Sequence, residues 1–266
     1  MLLRKISEKA LLWSAFLFPG ITQADAQCPA PVNAQTIQVV YVYDGDTVRL
    51  SDGSSLRLIG VNTPEINAKK GRPEPGALEA HRFLEAYQSQ ITMLTWERQR
   101  QDRYGRSLGH LYLSDGRSVE ALLLEQGLGY RIAIPPNTRF NDCLAVAESQ
   151  ARKQGIGLWA GSFDAVVPAA TLKPGRAGFS LLSGSITRVS FTPRAWYLEL
   201  DNQVALKISL PVAGGINKGS LNALKGQKIE VRGWLIDRRS RSKTYNPAYK
   251  PWLMVISHAS HIRISP

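Results

Sequence analysis

Tyr43-Asp44-Gly45-Asp46-Thr47-Val48 joins two runs of alternating β-formers, Thr36 to Tyr43 and Thr47 to Leu50. Asp-Gly between such runs is a hairpin turn. Asp52-Gly53 repeats the signal, and Ser55 to Val61 follows as a third strand, so this part of the chain opens as an antiparallel meander. Leu78, Phe83 and Tyr87 then mark a helix over 77–89, with Glu79, Arg82 and Glu85 facing water. Ile91 to Trp96 reads as a strand, Glu97 to Gln101 as a polar turn, and Ser107 to Leu113 as a fifth strand. Val119, Leu122, Leu123 and Gln126 form a short helix stopped by Gly127. Asn137 or Thr138 caps a last helix with Phe140, Leu144, Ala147 and Ala151 on one face. Five strands with inserted helices and no βαβ rhythm predict a mainly β, α+β fold built on a five-stranded Greek-key barrel.

The remainder bounds the environment. The chain has 266 residues, 44% hydrophobic and 20% charged, which is ordinary for a folded protein of one or two domains. Arg4, Lys5 and Lys9 precede an apolar run, Ala10 to Phe18, and Ala24-Asp25-Ala26 has small residues where a signal peptidase reads. That run is shorter than the roughly 20 residues a bilayer span requires. Residues 1–26 therefore read as a secretory signal cleaved near Ala26, leaving a secreted or periplasmic chain with no membrane span. Cys28 and Cys143 either bridge in that oxidising setting or remain two thiols. They form no zinc site, because no His pair accompanies them. The four histidines, His81, His110, His258 and His261, are scattered and read as surface or packing residues.

Net charge is +12, and it is unevenly placed. Residues 36–160 carry 15 Lys and Arg against 14 Asp and Glu, whereas residues 161–266 carry 15 against 5. The excess in the last hundred residues points to a polyanionic partner held there. Residues 161–177 lack periodicity and read as a linker. Five β-rich runs follow (181–190, 195–200, 204–210, 228–235 and 251–256), with a short helix over 216–225, predicting a second small barrel, OB-like, over 178–266. Arg238, Arg239, Arg241 and Lys243 stand near Tyr245, Tyr249, Trp252 and Trp234 (the last read as a core residue), a mixture suited to a single-stranded backbone and its bases.

Three segments of the first part combine a second kind of chemistry: the Asp-Gly-Asp-Thr turn, Arg57 with Asn62-Thr63-Pro64-Glu65, and Asp102-Arg103-Tyr104-Gly105-Arg106. Carboxylates such as Asp46 and Glu65 are hard oxygen ligands, and Arg57 and Arg106 are forked phosphate donors. In this order, together with Gln126-Gly127-Leu128 and Leu158-Trp159, they resemble the staphylococcal nuclease (thermonuclease) family over about residues 36–160. The resemblance implies an oligonucleotide-binding barrel and Ca²⁺-dependent cleavage of DNA and RNA, with Mg²⁺ the lesser candidate. It implies that Asp46, Asn62 and the Thr63 carbonyl hold the metal, and that Glu65 activates water. It further implies that Arg57 and Arg106 hold the phosphate while Arg103 and Tyr104 seat the nucleotide. Two departures matter. The family usually has Asp at the Asn62 position, and its base-stacking tyrosines align with Ala133 and Pro135. The expectation is thus a monomeric exported nuclease acting on DNA and/or RNA. A non-catalytic nucleic-acid binder that kept the barrel is the alternative, and an envelope- or protein-binding second barrel is a third reading.

Overall fold

The computed structural model describes residues 28–29, 31–67, 71–161, 163, 165–213, 216–241 and 245–265. The leader read over residues 1–26 lies outside them, as does Lys243, and of Arg241 the backbone alone is described. Described in chain order, the first part contains β1 (Gln35–Thr36), β2 (Val39–Asp44), β3 (Thr47–Leu50), β4 (Ser55–Leu58) and β5 (Val61–Asn62). Then come α1 (Ala77–Ala86), β6 (Ile91–Gln101), β7 (Ser107–Leu113), α2 (Val119–Glu125), β8 (Tyr130–Arg131) and α3 (Asn141–Gln154). Its sheet runs β1-β6-β7-β4-β3-β2, with β4 and β7 parallel. Residues 35–44 pair with β6 at their start and β3 at their end, so one bent segment closes both edges into a barrel. The core holds Val48 with Leu50, Leu56 with Leu58 and Leu111 with Leu113, alternate residues of their strands, beside Val42 of β2 and under Leu84 of α1 and Leu144 of α3. Alternation in the sequence makes that core, because neighbouring side chains on a strand point to opposite faces.

The second part contains β9 (Val166–Pro168), β10 (Gly178–Phe191), β11 (Ala195–Leu200), β12 (Val204–Ala213) and α4 (Lys218–Asn222). It continues with β13 (Lys228–Asp237), α5 (Arg238–Arg241), β14 (Trp252–His258) and β15 (Ile262–Ile264). Pairings run β10-β11-β12-β14-β13 and return to β10, a closed five-stranded ring with only β12 and β14 parallel. This is the strand order of the first barrel, so the two halves share one architecture despite lacking a sequence repeat. The fold is mainly β with few helices.

Three expectations are corrected. The polar turn read at Glu97–Gln101 is strand: Gln101 pairs with Ser107 of β7, and just before that pair the Asn137 side chain mimics a ladder partner for Gln99. It accepts from the Gln99 amide at 2.9 Å and donates to the Gln99 carbonyl at 2.7 Å. Spent there, Asn137 does not cap α3, which starts at Asn141 after Phe140. Within the stretch read as a linker, Val166–Pro168 pairs parallel to β10, and Ala169 and Leu172 enter the second core.

Two covalent and polar ties join distant segments. Cys28 and Cys143 form a disulfide that fastens the first described residues to α3. The outer face of β13 lies against α3 and β8 through a buried set of charges. Arg232 binds the Glu148 carboxylate at 2.6 Å and the Arg131 carbonyl at 2.8 Å, and Arg152 binds Glu230 at 2.6 Å. Beside them His261 Nε2 accepts the Ala133 amide at 2.9 Å, and Ser257 Oγ donates to the Ala133 carbonyl at 3.0 Å. In spite of burial, which acts the other way, Arg232 holds the Glu148 carboxyl below its usual range.

Candidate active site

The Asp-Gly-Asp turn is built by its own side chains. Asp44 Oδ1 accepts the Asp46 amide at 3.0 Å, which fixes the bend and turns Asp46 inward until 1% of it is exposed. Gly45 is needed for space: a Cβ there would run into Ala80 and Thr63. Cross-strand register then sets Arg57 directly opposite Thr47. The Arg57 Nη1 group donates to Asp46 Oδ1 while its Nη2 donates to Asn62 Oδ1 at 2.9 Å. Asp46 Oδ2 accepts the Thr63 amide at 2.8 Å. One guanidinium therefore joins the turn, the third strand and the Asn-Thr-Pro-Glu segment.

Negative charge is crowded here. Burial, followed by the nearby Asp46 carboxylate, pushes the Asp44 carboxyl up to about 7. Burial and Asp46 likewise raise the exposed-edge carboxyl of Glu65, against the opposing pull of Arg57 and Arg106. Glu65 is held at the mouth of its loop by Glu74: the Glu65 amide donates to Glu74 Oε2 at 3.0 Å, and the Glu74 amide returns to the Glu65 carbonyl at 2.9 Å.

The third segment arrives through β7, which runs parallel to β4 and pairs Leu56 with Ser107. That register brings Arg106 beside Arg57's strand. Arg106 is folded onto Asp102, its Nε 2.8 Å from Oδ2. Arg103 and Arg106 lie over the Tyr104 ring at 4.8 and 5.8 Å, and Tyr104 is 69% exposed. Asp46, Arg57, Asn62, Thr63 and Glu65 are thus gathered at one point. Arg106 is within charge reach of Glu65, and Arg103 and Tyr104 form an open rim.

Among the described residues no three His, Cys, Asp or Glu side chains converge as a metal set. The donors present at the turn are nevertheless all oxygens, and Asp46 is buried next to a second acid that resists ionising. Such a site suits a hard divalent cation, which would relieve that repulsion. Asn62 supplies a carbonyl oxygen without a charge, so the pocket is one charge poorer than two carboxylates would make it.

The sequence comparisons identify the family. A family model described as staphylococcal nuclease homologue matches residues 55–161. The thermonuclease of Staphylococcus hyicus is 34% identical over 131 residues, covering 48% of this chain and 77% of that protein. The chain belongs to the staphylococcal nuclease family. The thermonuclease of Staphylococcus intermedius is 30% identical over 132 residues (48% of this chain, 78% of that one), and the endonuclease YncB of Bacillus subtilis is 32% identical over 135 (49% and 59%). As a member of the family it is a nuclease, a hydrolase.

Beyond the matched half, this staphylococcal nuclease homologue carries Arg238, Arg239 and Arg241 on α5. Arg239 is engaged with Asp237, Nε to Oδ1 at 2.9 Å, and lies 4.2 Å over Trp252. Arg238 lies 5.4 Å over Tyr249, whose carbonyl accepts the Tyr245 hydroxyl. Ala133 is 1% exposed under β14 and His261, so the position that aligns with a base-stacking tyrosine is covered by the second barrel.

Sequence reading missed Asp44 as a charge partner, Glu74 as the brace of Glu65, and the Glu148–Arg232 seam. One signal for the seam was present: Glu148 sits on the otherwise apolar stripe of Leu144, Ala147 and Ala151.

Proposed function

We propose that the chain is an exported, Ca²⁺-dependent nuclease that hydrolyses phosphodiester bonds of DNA and/or RNA, its second barrel holding the polyanion. The bridge of Arg57 from Asp46 to Asn62 carries this reading, because it brings the hard oxygen donors and a forked phosphate donor into contact. Asp46, Asn62 and the Thr63 carbonyl would hold the ion. Bound there, Ca²⁺ would polarise a phosphoryl oxygen and offset the charge that grows in the transition state.

Glu65, braced by Glu74 at the open edge of the pocket, takes the proton from the attacking water. Arg57 and Arg106 exchange their carboxylate partners for the equatorial phosphate oxygens, where their charge counts more in the transition state than in the ground state. Arg103 and Tyr104 seat the adjoining nucleotide on the exposed turn. The positive excess of residues 161–266 raises the local concentration of substrate through attachment at a second point. The basic residues Arg238, Arg239, Arg241 and Lys243, with Tyr245, are candidates for that attachment. Export is supported by the Cys28–Cys143 disulfide, which persists in oxidising compartments, and by the leader-like composition of residues 1–26.

The test is release of acid-soluble nucleotides from DNA and RNA with Ca²⁺, with Mg²⁺ and with a chelator, beside Glu65→Gln and Arg57→Ala. Release that needs the metal and is lost in both variants is expected. Release that persists in the chelator, or in both variants, overturns the assignment.

A further inference from the structure

An aromatic strip leaves the active site and crosses from the first barrel to the second. On the β5–β8 ribbon Asn62 lies directly opposite Tyr130. Opposed residues of an antiparallel pair project to the same face, so Tyr130 starts from the face that carries Asn62 and its Arg57 contact. The Tyr130 ring centroid lies 5.5 Å from that of Phe179 and 5.4 Å from that of Trp159. Phe179 in turn lies 5.3 Å from Trp234, its register partner across β10 and β13.

The far end of the strip is open. Leu235 points into the second core, and the alternation of β13 sends Trp234 outward with 42% of its surface exposed. A large ring serving the seam alone would be covered, and the seam is already fixed by Glu148, Arg232, Arg152 and Glu230. Beyond Trp234 the chain reaches Arg238 in four residues, about 13 Å of extended strand. There Arg238 stacks over Tyr249, which is 61% exposed. The strip therefore runs from the catalytic candidates to the basic segment, along the half of the chain that holds 15 Lys and Arg against 5 Asp and Glu.

We propose that Tyr130, Phe179 and Trp234 form a stacking track that carries the bases of a single-stranded nucleic acid from the catalytic centre to the segment at Arg238. This rests on the nuclease reading and narrows it to strands with unstacked bases, since every base offers a flat π-face while a duplex keeps its faces hidden.

Binding of a single-stranded oligonucleotide of about 12 residues is measured on the intact protein in chelator, by anisotropy and by tryptophan quenching. Cleavage of the same strand, of its duplex and of a dinucleotide is measured with Ca²⁺. The variants are Trp234→Ala and Trp234→Phe, with thermal denaturation of each as a check on folding. Trp234→Ala weakens single-strand binding about tenfold and cuts by a similar factor the gain in kcat/KM from dinucleotide to long strand. Trp234→Phe recovers most of both. A folded Trp234→Ala protein with wild-type strand affinity and wild-type length dependence overturns the track. A wild-type protein that binds the strand through Trp234 but cleaves nothing overturns the nuclease reading and leaves the track standing.

Discussion

Asp46 finds its countercharge in Arg57, eleven residues away on the neighbouring strand, and shares it with the Asn62 amide. Asp46 is buried, with 1% of its side chain exposed, and Arg57 is nearly so, with 12%. Buried charge left alone is costly, so each partner constrains the other.

Removing that countercharge has a consequence that a cation can reverse. Arg57→Ala leaves Asp46 buried beside Asp44 and lowers stability in chelator by about 3 kcal/mol. Added Ca²⁺ restores part of the loss, because it supplies the missing charge. Nuclease activity nevertheless falls about 100-fold or more, since a phosphate donor is gone. Thermal denaturation with and without Ca²⁺, beside initial rates, checks both halves.

Asn62→Asp adds the carboxylate that this pocket lacks. Affinity for Ca²⁺ rises about tenfold, because ligand charge sets affinity in oxygen sites. Isothermal titration of both proteins reads the change directly. Equal affinities would remove position 62 from the metal's surroundings.

Much of this pocket was legible before any coordinates. Asp46, Arg57 and Glu65 stood out by residue type and Asn62 and Thr63 by the family resemblance, and hydrogen bonds join Asp46, Arg57, Asn62 and Thr63. The strands of the second barrel were legible because alternation is a local property. The end of β6 was not, because the group that extends it is the side chain of Asn137, 38 residues beyond Gln99. The inter-barrel seam was hidden more deeply, since Glu148 and Arg232 are 84 residues apart and the place of Glu148 on an apolar stripe names no partner. Pairing across such distances is decided by how two finished barrels meet.

That meeting depends on Glu148. Glu148→Ala leaves the Arg131 amide without its acceptor and Arg232 with only the longer 3.5 Å pair to Glu230, and costs about 3 kcal/mol. Adding Arg232→Met to the same chain recovers part of the loss by removing the stranded charge. Urea denaturation of the single and double variants measures the coupling. Additive losses would contradict it.

The pH dependence is set from two sides. Burial pushes the His110 imidazole down, but hydrogen bonds and charge from Glu120 and Glu97 outweigh it and hold it at about 9, above the ordinary 6.5. Its contribution is complete below about pH 6.5 and is lost as pH rises through 9. His261 is held at about 3 by burial and by Arg131, Arg232 and His258, so its contribution is complete above pH 6.5 and fades as pH falls toward 3. Urea midpoints against pH test this: His110→Gln flattens the alkaline limb and His261→Gln the acid limb.

The Cys28–Cys143 bond encloses a 115-residue span, and that span contains Asp46, Arg57, Asn62, Glu65 and Arg106. Closing a loop of this size removes unfolded-chain entropy worth about 4–5 kcal/mol. Under reducing conditions that closure is absent, and all five candidate site residues belong to the less firmly folded form. One covalent bond thus couples the firmness of the whole candidate site to the redox state of its surroundings.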